Sequence, residues 1–84
     1  MELKFKKVFV SVIIKISPEG EILPLSIIFE DGKEYKINKL IYSQRAHATK
    51  VGGTGIRYTV VIGKQKTHLF EDEGRWFVEA KVVV

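Results

Sequence analysis

The chain has 84 residues, of which 45% are hydrophobic and 29% charged, with a formal net charge of +4. That balance fits a single globular domain over residues 1–84 and leaves no room for a second. The lack of cysteine excludes a disulfide framework, a thiolate nucleophile and a Cys-ligated zinc or iron–sulfur site.

Val and Ile recur between turn signals along the whole chain, so the sequence reads as β throughout. At the start, Lys4, Lys6 and Lys7 precede the apolar run Val8–Ile14, much as a signal peptide begins. The run is short, Ser11 interrupts it, Lys15 ends it, and no small-x-small cleavage site follows. A strand is the better reading, and a cytoplasmic location the default. No stretch approaches the ~20 apolar residues of a membrane helix, and no membrane partner is expected.

A first strand over Lys7–Ile16 sets Val8, Val10, Val12, Ile14 and Ile16 on one face, and Phe9, Ser11, Ile13 and Lys15 on the other. Ser17-Pro18-Glu19-Gly20 is a turn. A second strand over Ile22–Phe29 points Leu23, Leu25, Ile27 and Phe29 one way, and Pro24 near its start requires an edge or a bulge. Asp31-Gly32 reads as a type I′ hairpin turn. A third strand over Glu34–Tyr42 turns Tyr35, Ile37 and Ile41 inward, and Lys36, Asn38 and Tyr42 outward.

Ser43–Gly55 reads as irregular, with a short helical turn around Gln44–Ala48. Ile56, Tyr58, Val60 and Ile62 then alternate with outward Arg57, Thr59 and Val61. Gly63-Lys64 turns into a strand over Gln65–Glu71; Glu71–Gly74 turns again, and Arg75–Val83 closes the chain. The prediction is all-β: a small single-domain antiparallel barrel of five to six strands. Its expected core is Val10, Val12, Ile14, Leu25, Ile27, Tyr35, Ile37, Ile56, Tyr58, Val60, Ile62, Leu69 and Val78.

Three segments carry a family resemblance: Phe29-x-Asp31-Gly32-x-x-Tyr35-x-Ile37, Gly52-Gly53-x-Gly55-Ile56-Arg57-Tyr58, and Arg75-Trp76-Phe77-Val78-Glu79. Together they resemble a family of small uncharacterised bacterial domains, chiefly of Gram-positive anaerobes, with an SH3-like barrel. More loosely, they resemble small barrel domains attached to bacterial translesion polymerases. The resemblance spans roughly residues 8–82 and rests on aromatic, glycine and turn positions. It implies an SH3-like fold. It carries over no catalytic or binding residue, and its polymerase side favours nucleic acid by analogy.

The charge layout is the most informative functional feature. No Asp or Glu lies between Tyr35 and Phe70, while that span holds Lys36, Lys39, Arg45, Lys50, Arg57, Lys64 and Lys66. Such a patch attracts phosphates by counterion release. The competing reading pairs these bases with acids from other strands, for example Lys64 or Lys66 opposite Glu73 or Glu79. Rings beside the bases would stack nucleobases: Tyr42, and whichever of Trp76 and Phe77 faces outward. The expected nucleic-acid contacts are therefore Tyr42, Arg45, Lys50, Arg57, Lys64, Lys66, Trp76 and Phe77.

Other chemistries lack their constellations. Gly52-Gly53-Thr54-Gly55 has no Lys-Ser/Thr ending and no following helix, so a loop is the better reading than a phosphate cradle. His47 and His68 have no further ligands at metal spacing, and no serine sits in a nucleophile turn. Glu71, Asp72 and Glu73 do not form an EF-hand pattern. No catalytic residue, metal or cofactor is assigned. The sequence leaves three readings: a non-enzymatic nucleic-acid-associated module, a protein-interaction module using a peptide groove or edge-strand addition, or a homodimer whose Val82-Val83-Val84 tail covers a neighbour's edge.

Overall fold

The computed structural model describes residues 3–47 and 54–83. The strands are β1 (Leu3–Ile16), β2 (Ile22–Ile28), β3 (Glu34–Lys36), β4 (Lys39–His47), β5 (Thr54–Ile62), β6 (Gln65–Asp72) and β7 (Arg75–Val83). They form one antiparallel sheet in the order β3-β2-β1-β7-β6-β5-β4, curled into a half-barrel consistent with an SH3-like fold. The chain is all-β as predicted, with seven strands in place of five to six. The described residues form no helix, and none is long and apolar enough to cross a membrane.

The additional strand comes from the split of the expected Glu34–Tyr42 strand. Tyr35 pairs with Ile27 and Lys36 with Ser26, both on β2. Three residues later Lys39 pairs with Val61 on β5, at the opposite end of the sheet. The link between them carries the closure. Ile37 N–H donates to the Leu25 carbonyl at 2.9 Å, and Asn38 N–H donates to the Val61 carbonyl at 2.8 Å. The Asn38 side-chain oxygen accepts from Gly63 N–H at 2.6 Å. Two residues thus tie β2 to the β5–β6 hairpin and curl the sheet.

Two bulges adjust the faces. On β2, Ile13 pairs with Ser26 and Ile14 with Pro24, so Leu25 is the extra residue. This is the irregularity that Pro24 demanded, since proline has no N–H for the ladder. It also corrects the expected faces: Leu23 and Leu25 are exposed, while Pro24, Ser26 and Ile27 are buried. On β4, Leu40 pairs with Val60 and Tyr42 with Thr59, leaving Ile41 extra and 39% exposed.

Two further expectations are corrected. Gln44–His47 is strand, because each residue finds a partner on β5 and the ladder overrides local helical preference. The Asp31-Gly32 hairpin is made, but not as type I′. Gly32 N–H donates to the Phe29 carbonyl, and positive φ is confined to Gly32, so the loop is a type I turn closed by a left-handed glycine. Within the Ser43–Gly55 stretch Ser43 is also in β4, and Thr54 and Gly55 open β5; residues 48–53, with Lys50, Gly52 and Gly53, lie outside the described residues.

β1 changes partner along its length. Leu3–Val10 pair with β7, and Ser11–Ile16 with β2. β6 and β7 share only the pairs from Leu69–Val78 to Asp72–Arg75, while β7 stays on β1 as far as Val83. The start of β1 and the end of β7 therefore leave the barrel as a two-stranded ribbon. This stretches the molecule to 48 × 26 × 22 Å.

The barrel interior is filled by Ile27, Tyr58, Val60, Leu69 and Val78, with Val10, Val12, Ile37, Ile56, Ile62 and Trp76 packed around them. Full burial of an aliphatic side chain of this kind is worth about 1.5–3 kcal/mol. Tyr35 is not in this core as expected. It is 41% exposed and meets Phe29 edge-on at 5.6 Å on the barrel's mouth.

At Gly55 the neighbouring backbone comes close, since a Cβ there would overlap the Glu71 carbonyl oxygen. Gly55→Ala should cost about 2 kcal/mol or more, because rigid backbone must move. Asn38→Ala should lose about 1 kcal/mol by freeing Gly63 N–H. Urea denaturation measures both.

Burial raises the Tyr58 phenol above its ordinary value, and the nearby Glu71 carboxylate adds to the rise. A phenol raised on folding supports stability below its unfolded value near 10, and that support is lost as pH climbs beyond it. Thermal melts from about pH 8 to 11 should therefore show a fall in stability at the alkaline end that Tyr58→Phe reduces.

Candidate nucleic-acid interface

β4, β5, β6, β7 and the first half of β1 form the larger part of the sheet. One of its faces packs into the barrel, and the other points outward. Alternation about the core residues Tyr58 and Val60 places Arg57, Thr59 and Val61 on the outer face. The pairings then build rows across it. Lys39, Val61 and Lys66 form the first row, and Tyr42, Thr59 and His68 the second. The third runs Gln44, Arg57, Phe70, Phe77 and Phe9. The bulge at Ile41 allows both Leu40 to pack inward and Tyr42 to face outward.

The third row is an aromatic ladder. Phe70 and Phe77 stack at 5.1 Å with an interplanar angle of 10°, and Phe9 meets Phe77 edge-on at 5.8 Å. Cations roof the rings: Lys7 Nζ lies 4.6 Å from the Phe77 centroid, and the Arg75 guanidinium 3.9 Å from that of Phe9. Each such contact is worth about 0.5–1 kcal/mol at an exposed site. Phe70 and Phe77 are 2% exposed, whereas Phe9 remains 44% exposed.

Beside the ladder sit two donors with nothing to donate to. Arg57 Nε and Thr59 Oγ1 are buried and find no hydrogen-bond partner among the described residues. They are two positions apart on one face of β5, about 7 Å along the strand. A buried polar group without a partner costs roughly 1–3 kcal/mol, so such groups in native proteins are normally satisfied by a ligand, an ion or a water. Tyr42, 48% exposed, stands next to Thr59, and Lys39 and Lys66 flank the next row. The strand opposite Lys66 presents Val61, not an acid, so the expected neutralisation by a cross-strand carboxylate is not built there.

The anticipated contact residues are therefore only partly brought together. Tyr42, Arg57 and Lys66 share the outer face, and exposed Lys64 lies in the turn at its end. Arg45 pairs with Ile56, which assigns it to the opposite face. Trp76 packs inward against Tyr58 at 5.1 Å, and Phe77 faces outward but is buried in the ladder. Neither offers an open ring to a base. Lys36 belongs to β3, paired with Ser26 on β2, whereas Lys39 pairs with Val61 on this face. Lys50 lies outside the described residues. Thr59, Lys39 and the Phe9 ring are additions that the sequence pattern does not single out as contacts.

A cavity of about 460 Å³ opens where β6 parts from β7, lined chiefly by Ile27, Phe29, Tyr35, Ile62, Thr67 and Val78. Among the described residues no group of three or more metal-ligating side chains is gathered. Comparisons with family models, curated proteins and solved structures return no match.

Replacing Thr59 by valine separates structure from function at this site. Thr59→Val should leave stability unchanged or raise it by about 1 kcal/mol, since it removes a buried hydroxyl that lacks a partner. Chemical denaturation measures this, and a clear loss of stability would mean that the hydroxyl is internally bonded.

Proposed function

We propose that this protein is a non-enzymatic nucleic-acid-binding module that works through the outer face of β4–β6. The reading rests on one observation: Arg57 Nε and Thr59 Oγ1 are buried donors without partners among the described residues, on a face that carries Lys39 and Lys66 two rows from Arg57 and Asp72 beside the Phe70 that faces Arg57. A phosphate oxygen would supply the acceptors they lack once the side chains that cover them move aside, and guanidinium geometry suits phosphate. Lys39, Lys66 and Lys64 extend the positive field along the strand ends. Tyr42 offers an exposed ring for base stacking. These contacts address backbone and ring faces, not base edges, so binding has little sequence preference. The looser resemblance to barrel domains attached to bacterial translesion polymerases favours a nucleic-acid partner by analogy, and a cytoplasmic location is the default that goes with this reading.

Labelled oligonucleotides titrated at two salt concentrations test the proposal. Binding is expected in the range of about 10⁻⁴–10⁻⁶ M and should weaken steeply as salt rises. Arg57→Ala should weaken binding and reduce the salt slope by about one phosphate contact. Thr59→Val should weaken it without loss of stability. No binding at low salt would overturn the reading. Salt-insensitive capture of an extended peptide would move the function to the apolar cavity beside Phe29 and Tyr35.

A further inference from the structure

A separate open feature lies on β1, three strands away from the Arg57–Thr59 pair on β5. Its pairing with β2 begins at Ser11, opposite Ile28. N-terminal to Ser11, β7 runs along one edge of β1, and no strand lies against the other among the described residues. A strand edge of this kind presents main-chain N–H and C=O groups to any extended segment that can reach it. At the fork where β1 leaves β2 there is a recess of about 390 Å³ lined by Phe9, Val10, Ser11, Ile28, Phe29 and Glu30. Main-chain pairing plus a side-chain recess is the combination that strand-addition sites use.

The charges select the occupant. Lys4 and Lys6 are exposed on one face of the ribbon. Across the ribbon they face Val82 and Ala80, so neither has an acid opposite, whereas Lys7 is paired with Glu79. A second copy of this edge would bring lysines against lysines, and edge lysines are a device against such self-pairing. An incoming strand with carboxylates at alternate positions sets both on the same face as Lys4 and Lys6. We infer that the free edge of β1 takes up an extended acidic segment of a partner protein by antiparallel or parallel strand addition, with one of its apolar side chains entering the Phe9–Ile28 recess. This inference does not depend on the nucleic-acid reading.

The probe is a capped nine-residue peptide alternating Glu and Val, titrated onto the intact protein by fluorescence anisotropy. Its controls are the same peptide with Lys for Glu and two versions N-methylated at either all Glu or all Val positions. A strand added at an edge uses the N–H groups of alternate residues only. One methylated version should therefore lose at least about tenfold in affinity while the other stays within about twofold. The lysine peptide should not bind, and Lys6→Glu should weaken the acidic peptide about tenfold. Equal binding of both methylated versions would reduce the interaction to surface charge and overturn the inference. So would the lack of any binding at about 1 mM peptide.

Discussion

The curled sheet depends on one two-residue bridge. Without Ile37-Asn38, β3 and β4 would be the two far edges of a seven-stranded sheet. Their amides reach carbonyls on β2 and β5, and the Asn38 side chain holds the next turn through Gly63. An open sheet of this size would leave one face of Tyr58, Val60 and Leu69 in water. The bridge lets that face meet Ile27 and Ile37 from the other end of the sheet, forming a single apolar interior without a helix. Hydrogen bonds worth about 1 kcal/mol each thus determine where a much larger hydrophobic contribution is realised.

Closure on one side leaves the outer face to look after itself. It does so with an aromatic ladder under Lys7 and Arg75, whose charged ends lie over the Phe77 and Phe9 rings. The ladder gives way at β5 to Arg57 and Thr59, whose polar atoms have no such cover chemistry. The bulge at Ile41 brings Tyr42 out beside them. Structure and candidate function therefore meet on β5: its inner residues build the core, and its outer residues form the polar seat. The partner change along β1 has the complementary effect. It is needed to carry the chain from one part of the sheet to the other, and it leaves a lysine-marked edge behind.

Much of this is legible in local pattern. Period-2 alternation locates β5 and β7, and Pro24 announces the bulge on β2. Alternation also sets Tyr42 outward, although it is the bulge at Ile41 that puts it there. The split at Ile37-Asn38 has no local mark. Neither glycine nor proline interrupts the strand pattern, and only the change of partner, a long-range event, divides it. Tyr35 and Leu25 are expected inside because alternation cannot register an inserted residue or a strand lying at the barrel's mouth. Trp76 and Phe77 are correctly set on opposite faces, but no local pattern signals that the outer face has its own cluster. Thr59 is invisible as a site residue, since an outward threonine on a strand is ordinary until its neighbours bury it. The acid-free run from Lys36 to Leu69 is a real signal, yet strand pairing sends its bases to different faces, with Lys39, Arg57 and Lys66 on one and Arg45 on the other.

The central claim is that the outer face of β5 and its neighbours is the binding surface. The most direct measurement is an amide-resolved NMR titration of the isotopically labelled protein with a short single-stranded oligonucleotide at low salt. The largest shifts should gather at Tyr42, Arg57, Thr59 and Lys66 and fade as salt is added. Shifts centred on Phe29, Tyr35 and Thr67, or spread evenly over all exposed lysines, would contradict the account.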